Sequence, residues 1–131
     1  DSMNYLLSTE EIFAMFRCIK EALAEDGVAI LDMKTAYCFQ KVMGNQTRVD
    51  ETEEALMIWD NTYDEETCIN EYLLTIFTED KATGMYARYD ECHEQRAYTE
   101  DEIKSCLKET SLRLVKSWTE DEVRTYFVIQ R

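Results

Sequence analysis

Glycine and proline are almost missing from this sequence: its 131 residues contain three glycines, Gly27, Gly44 and Gly84, and no proline. The three glycines are far apart, so no glycine-rich loop able to cradle a phosphate or a nucleotide can form within these residues. A function that depends on such a loop is excluded for this stretch of chain taken alone.

The remaining composition is that of a folded domain. The length is one domain's worth and suffices for a modest core. Hydrophobic residues make up 45%, with 8 Tyr, 5 Phe and 2 Trp, an aromatic content that a disordered chain would not carry. The formal charge is 14 − 28 = −14. A phosphate backbone would be repelled by that field, and the Lys and Arg residues are scattered, so no nucleic-acid partner is expected. No stretch approaches the ~20 apolar residues that span a bilayer, and no signal peptide opens the chain, so no membrane partner is expected either. The five cysteines, Cys18, Cys38, Cys68, Cys92 and Cys106, are odd in number and irregular in spacing. They read as free thiols in a reducing, cytoplasmic setting. Cys92-His93 is the one Cys/His neighbour pair, and a structural zinc site needs about four ligands, so no metal is expected.

Along the chain, Ser8-Thr9-Glu10-Glu11 forms a capping box, with Ile12, Phe16, Ile19 and Leu23 recurring at helical steps behind it. The spacing predicts a helix over residues 9–24, ended by Glu25-Asp26-Gly27 with Gly27 free to take a positive φ. Val28 to Met33 then reads as a buried parallel strand, apolar on both faces. Residues 34–54 show no clean period and are expected to be a loop with one short helix, Tyr37 to Met43, and an acidic run from Asp50 to Glu54. Ala55 to Tyr63, Thr67 to Thr78 and Met85 to Arg96 have strand character and short polar turns between them, which predicts an antiparallel meander. Trp59, Tyr63, Tyr72 and Tyr89 are candidates for the face turned toward a ligand or the rest of the domain, aromatics in such strands being more often simply the buried face of a sheet. Thr99-Glu100-Asp101-Glu102 is a second capping box, leading a helix to about residue 110. Leu112 to Val115 and Val123 to Ile129 complete the chain as an antiparallel pair.

Four motifs in this order carry a resemblance. Asp1-Ser2-Met3-Asn4-Tyr5-Leu6 resembles the Asp-Ser-Leu-Asn-Tyr-Leu that leaves the fourth strand of class I S-adenosylmethionine-dependent methyltransferases of the small-molecule type. Glu25 to Asp32 is similar to their Pro-Gly-Gly-strand-Asp element, with Glu25-Asp26 standing where Pro-Gly is usual. Met33-Lys34-Thr35 resembles the Ile-Asn-Thr that follows, and His93 to Thr99 with Glu102-Ile103 resembles their His-x-x-Arg-x-Tyr-Ser/Thr…Glu-Ile/Leu. The resemblance covers nearly the whole chain. It implies an α/β fold (α+β as an isolated fragment), the C-terminal half of a Rossmann-like sheet of order 3-2-1-4-5-7-6 with an inserted antiparallel β-meander. Residues 1–34 would be a helix–strand unit of that sheet, 35–96 a loop plus substrate lid, and 97–131 its final helix and strand pair. The chain begins at Asp1 and runs straight into a well-formed motif, from which we expect a folded segment ahead of it.

The resemblance further implies S-adenosylmethionine as cofactor, bound mainly by the other half, and a small molecule as methyl acceptor. Asp1, Ser2 and Asn4 would touch the cofactor, and Asp32, Lys34 and Thr35 the acceptor; from the residues themselves, Trp59 and Tyr98 are further candidates to touch the acceptor. His93, the lone histidine, is the candidate base, with a lone strand histidine more often structural. Asp1 and Asn4 are equally suited to a helix-entry turn, and Tyr98 to stapling a helix start. The fragment alone is expected to be inactive, and to pair with a second copy through an exposed sheet edge or the insertion. The alternative reading is an acidic, non-enzymatic α+β module that binds a protein.

Overall fold

Both capping boxes form, and they fix where the two helices begin. The computed structural model describes all residues, Asp1–Arg131. The Glu11 amide donates to Ser8 Oγ at 3.2 Å while the Ser8 amide donates to Glu11 Oε2 at 3.0 Å. Thr99 and Glu102 repeat the exchange at 3.2 and 2.8 Å. Behind these caps run α1 (Thr9–Ala22) and α2 (Glu100–Glu109). A 3-10 turn, Ser2–Tyr5, precedes α1. Gly27 closes the helix-to-strand turn by its size: an added Cβ would stand 2.9 Å from the Ala24 amide nitrogen and 3.0 Å from its carbonyl oxygen. The expected positive φ is found instead at Gly44 and Gly84.

Seven strands follow in two sheets: β1 (Val28–Lys34), β2 (Gln46–Glu51), β3 (Ala55–Asp64), β4 (Ile69–Asp80), β5 (Met85–Arg96), β6 (Arg113–Glu120) and β7 (Arg124–Gln130). The first sheet has the order β1-β7-β6 and the second β2-β3-β4-β5, with every pairing antiparallel. The first is the 5-7-6 portion of the strand order that the resemblance implies. Asp121 and Glu122 both have positive φ (48° and 59°), the type I′ geometry that lets β6 and β7 meet in a tight hairpin. β6 accordingly runs on to Glu120 rather than stopping near Val115.

One face of the first sheet is covered. Ala29, Leu31 and Met33 of β1, with Phe127 and Ile129 of β7, pack on Ile12 and Phe16 of α1 and Ile103 and Leu107 of α2. Each such side chain contributes about 2 kcal/mol when fully buried. The opposite face is bare, which corrects the expectation of a strand buried on both sides: Val28 is 53% and Ile30 67% exposed. β1 is also a sheet edge, its one partner being β7. The parallel neighbour expected for it is not among these residues. A second small core holds Phe39, Tyr63 and Ala97.

Residues 34–54 hold more structure than a loop. Cys38–Met43 is a π-helical segment closed by the Gly44 amide donating to the Phe39 carbonyl at 2.8 Å. Gln46–Glu51 is an edge strand paired in register with β3. No helix is long and apolar enough to cross a membrane.

Candidate functional site

The two sheets meet at the Ser2–Tyr5 turn, where the Asn4 amide bonds to both. Asn4 is fully buried. Its Oδ1 accepts from the Lys34 amide at 2.9 Å, and its Nδ2 donates to the carbonyls of Lys34 and Arg96 at 3.1 and 2.9 Å. The last residue of β1 and the last residue of β5 are therefore held to one side chain. This brings the carboxyl end of β1 against the inner face of the second sheet.

Alternation along the strands puts Trp59, Asn61 and Tyr63 of β3 on that inner face with Asn70, Tyr72, Leu74 and Ile76 of β4. Tyr89, His93 and Gln95 of β5 and Gln46 and Arg48 of β2 share it. Trp59 stacks on Tyr72 with ring centroids 4.5 Å apart, and Tyr72 stacks on His93 at 4.7 Å. Tyr5 closes the column: its hydroxyl lies 2.5 Å from that of Tyr72 and 3.2 Å from His93 Nδ1. His93 Nε2 is 3.0 Å from Glu91 Oε2. Burial, and the hydrogen bond to Tyr5, push the Tyr72 phenol well above its usual pKa. Asn61 and Asn70 exchange amide hydrogen bonds, both 2.9 Å, in the buried end of the sheet.

A cavity of about 330 Å³ opens where β1 ends. Lys34, Cys38 and Met43 line it together with one face of the second sheet, where Gln46, Arg48 and Asp50 of β2 stand beside Asn61, Trp59 and Met57 of β3. The Lys34 ammonium donates to Gln95 Oε1 at 3.3 Å and lies 3.3 Å from Asp1 Oδ2. Burial holds its pKa below the usual lysine value. The same burial raises the Cys38 thiol, against the pull of Lys34.

Of the expected site residues, the structure brings Lys34 and Trp59 together in the wall of this cavity. Asp32 instead pairs with Arg124 and the chain's amino-terminal ammonium. Thr35 donates its hydroxyl to the carbonyls of Glu122 and Val123, tying β1 to the hairpin turn. The Tyr98 hydroxyl donates to the carbonyls of Leu6 and Ser8, at 2.5 and 3.0 Å, and straps the entry to α1. Asp1 is ion-paired with Lys34 and Arg124, and Ser2 is exposed. His93 sits at the far end of the aromatic column and does not line the cavity.

Sequence reasoning does not find Arg48 or Gln46, because β2 shows no apolar alternation, and it finds Asp50 only as part of an acidic run suited to a solvated loop or to a cationic amine. It missed Asn61 and Tyr5 because only strand pairing reveals what they face. The readable signal for Asn61 was its position two residues from Trp59, on the same side of a strand.

No family model matches the chain. The methyltransferase-named protein GWCH70_2453 of Geobacillus sp. (strain WCH70) is 30% identical over 139 aligned positions, covering 100% of this chain and 56% of that protein. YqeM of Bacillus subtilis (strain 168), also named as a methyltransferase, is 26% identical over 87% of this chain and 45% of its own. The chain thus spans about half the length of the curated relatives it matches. Among solved structures, an S-adenosylmethionine-dependent methyltransferase from Clostridium acetobutylicum ATCC 824 superposes with a TM-score of 0.87 at 25% identity, over 99% of this chain and 55% of that one. The sugar N-methyltransferase KedS8 from Streptoalloteichus shares the fold, with a TM-score of 0.74 at 17% identity, over 99% of this chain and 52% of its own. With the 5-7-6 strand order already in place, these likenesses show that the chain is similar to about half the length of proteins named as methyltransferases and carries that half of their fold.

Proposed function

We propose that this chain is the C-terminal half of a methyltransferase and supplies the part that holds the methyl acceptor. Residues 1–34 and 97–131 would complete the methyltransferase sheet, and residues 35–96 would form the lid over a small-molecule acceptor. The observation that carries this reading is the cavity at the carboxyl end of β1, roofed by the inner face of the second sheet. Ligands of open α/β sheets collect outside strand carboxyl ends. In this reading Lys34 and Trp59 contact the acceptor directly, and His93 stiffens the column behind Trp59. Thr35, Asp32 and Tyr98 hold the walls in place rather than touching the acceptor.

The residues expected to touch the cofactor do not by themselves make a cradle for it. Asn4 spends its amide on backbone, the Asp1 carboxylate is neutralised by Lys34 and Arg124, and Ser2 alone has a free hydroxyl. This donor set supports cofactor binding mainly by the part of the fold outside these residues. S-adenosylmethionine would supply the methyl group in the complete enzyme. What this chain would contribute is placement of the acceptor and exclusion of water, which lower the barrier by orientation. Calorimetric titration of the chain with S-adenosylmethionine tests the division of labour: no micromolar binding is expected, and micromolar binding by these 131 residues would overturn it.

A further inference from the structure

The chain has twice as many acidic as basic residues, yet two of its cations line one cavity. Lys34 is largely buried, its side chain 16% exposed, and projects from the end of β1. Arg48 stands on β2 directly across from Trp59 in the strand register. Its guanidinium donates to the Val42 carbonyl at 2.5 Å and has no carboxylate within ion-pair distance. That one bond leaves most of its five donors aimed at nothing in the chain. The cavity's one acid, Asp50, lies a further register step out, opposite Met57. Lys34 is paired with Asp1 at 3.3 Å, so Arg48 is the cation of this cavity left without a carboxylate partner, in a molecule of formal charge −14.

The geometry points to an acceptor that carries an anionic group, a carboxylate or a phosphate, seated between Lys34 and Arg48 with a flat ring against Trp59. This deepens the acceptor-site reading of the same cavity and rests on it. A planar guanidinium offers a carboxylate or phosphate paired hydrogen bonds, and a lysine ammonium adds a point charge beside it. Trp59 is backed by Tyr72 and then His93, so its exposed side offers a rigid platform rather than a rotating ring. The formal charge of −14 repels an approaching anion at long range, so binding here has to come from the local contacts of Arg48 and Lys34.

The test uses the chain with Trp118→Phe, so that Trp59 is the only tryptophan and its fluorescence reports the cavity. Three probes of one ring size are titrated: benzoate, phenyl phosphate and benzyl alcohol. At least one anionic probe is expected to change Trp59 emission at about tenfold lower concentration than the alcohol, with an apparent affinity that falls as salt is added. Arg48→Gln is expected to weaken anionic binding about tenfold, and Arg48→Lys to weaken it less. Arg48 is exposed, so its loss leaves the fold intact, which the near-ultraviolet spectrum of the Trp59–Tyr72 stack checks. Equal response to benzyl alcohol, unchanged anion binding in Arg48→Gln, or no response to any probe at millimolar concentration overturns the inference. Benzoate and phenyl phosphate separate carboxylate from phosphate. None of these signals involves S-adenosylmethionine, so failure here and failure of the cofactor titration are distinct results.

Discussion

Asn4 holds Lys34 from both sides, accepting from its amide and donating to its carbonyl, while a second donation reaches Arg96, 92 residues away in sequence. A residue that the family likeness marks for the cofactor thereby sets the distance between the two sheets. The cavity lies where Asn4, together with the Lys34–Gln95 hydrogen bond, joins the ends of β1 and β5.

Replacing Asn4 by Ala removes all three bonds and leaves buried backbone groups without partners. Each such loss costs about 1 kcal/mol or more, so Asn4→Ala is expected to lower unfolding free energy by about 3 kcal/mol. Urea denaturation monitored by circular dichroism reads this directly. A change below ~1 kcal/mol would mean that water replaces the amide and that the clamp is dispensable.

The Asn61–Asn70 pair makes a second prediction. Each amide bonds to the other inside the sheet, and Asn61 Nδ2 also donates to the Gly44 carbonyl at 2.7 Å, so Asn70→Ala is expected to cost about 2 kcal/mol and Asn61→Ala about 1 kcal/mol more. Changing both removes the stranded group as well. The double variant is then expected to be more stable than the sum of the singles predicts by about 1 kcal/mol, measured as a double-mutant cycle. Strict additivity would show that the two amides do not depend on each other.

These clamps mark the limit of what the sequence could tell. Both helices were legible because the capping boxes are local: Ser8 with Glu11 and Thr99 with Glu102 act within four residues. β3, β4 and β5 were legible from aromatic and β-branched runs broken by polar turns. β2 was not, because all six of its residues are exposed and it ends in Asp50 and Glu51, leaving no apolar alternation to read. Val28 and Ile30 read as buried for the opposite reason, since their apolarity is visible in sequence and their missing cover is not. Lys34 could be named as a site residue by likeness and Trp59 as an aromatic on a strand, but Arg48 required knowing that β2 pairs with β3. The roles of Asn4, Thr35 and Tyr98 as structural ties depend on backbone carbonyls, which no side-chain pattern displays.

The Asp32–Arg124 pair gives the third prediction. Burial works to raise the Asp32 pKa, but hydrogen bonds and charge from the chain's amino-terminal ammonium and from Arg124 outweigh it and hold the value below the ordinary 3.8. A depressed carboxylate contributes stability that is present above its unfolded pKa and lost as pH falls through its folded one. Arg124→Gln should therefore be less stable than the parent at neutral pH, with a gap that narrows as pH drops below about 3.8. Unfolding curves at pH 7, 5 and 3 would show it, and a gap independent of pH would remove Asp32 from the account.

The bare face of the first sheet gives the fourth. Ile30 is 67% exposed and Val28 53%, beside a β1 edge whose backbone groups have no strand partner. Apolar surface next to an open edge favours pairing with another strand, and a second copy of the chain offers the same surface by twofold symmetry. The formal charge of −14 opposes this at low salt, so association is expected to rise with ionic strength as repulsion is screened. Sedimentation equilibrium should show dimer in moderate salt and a shift toward monomer for Ile30→Lys, which puts a charge on the edge strand. Because Ile30 already faces solvent, the same change should alter unfolding free energy of the monomer by no more than about 0.5 kcal/mol. A parent chain that stays monomeric at high concentration and high salt would show that the exposed face does not drive pairing.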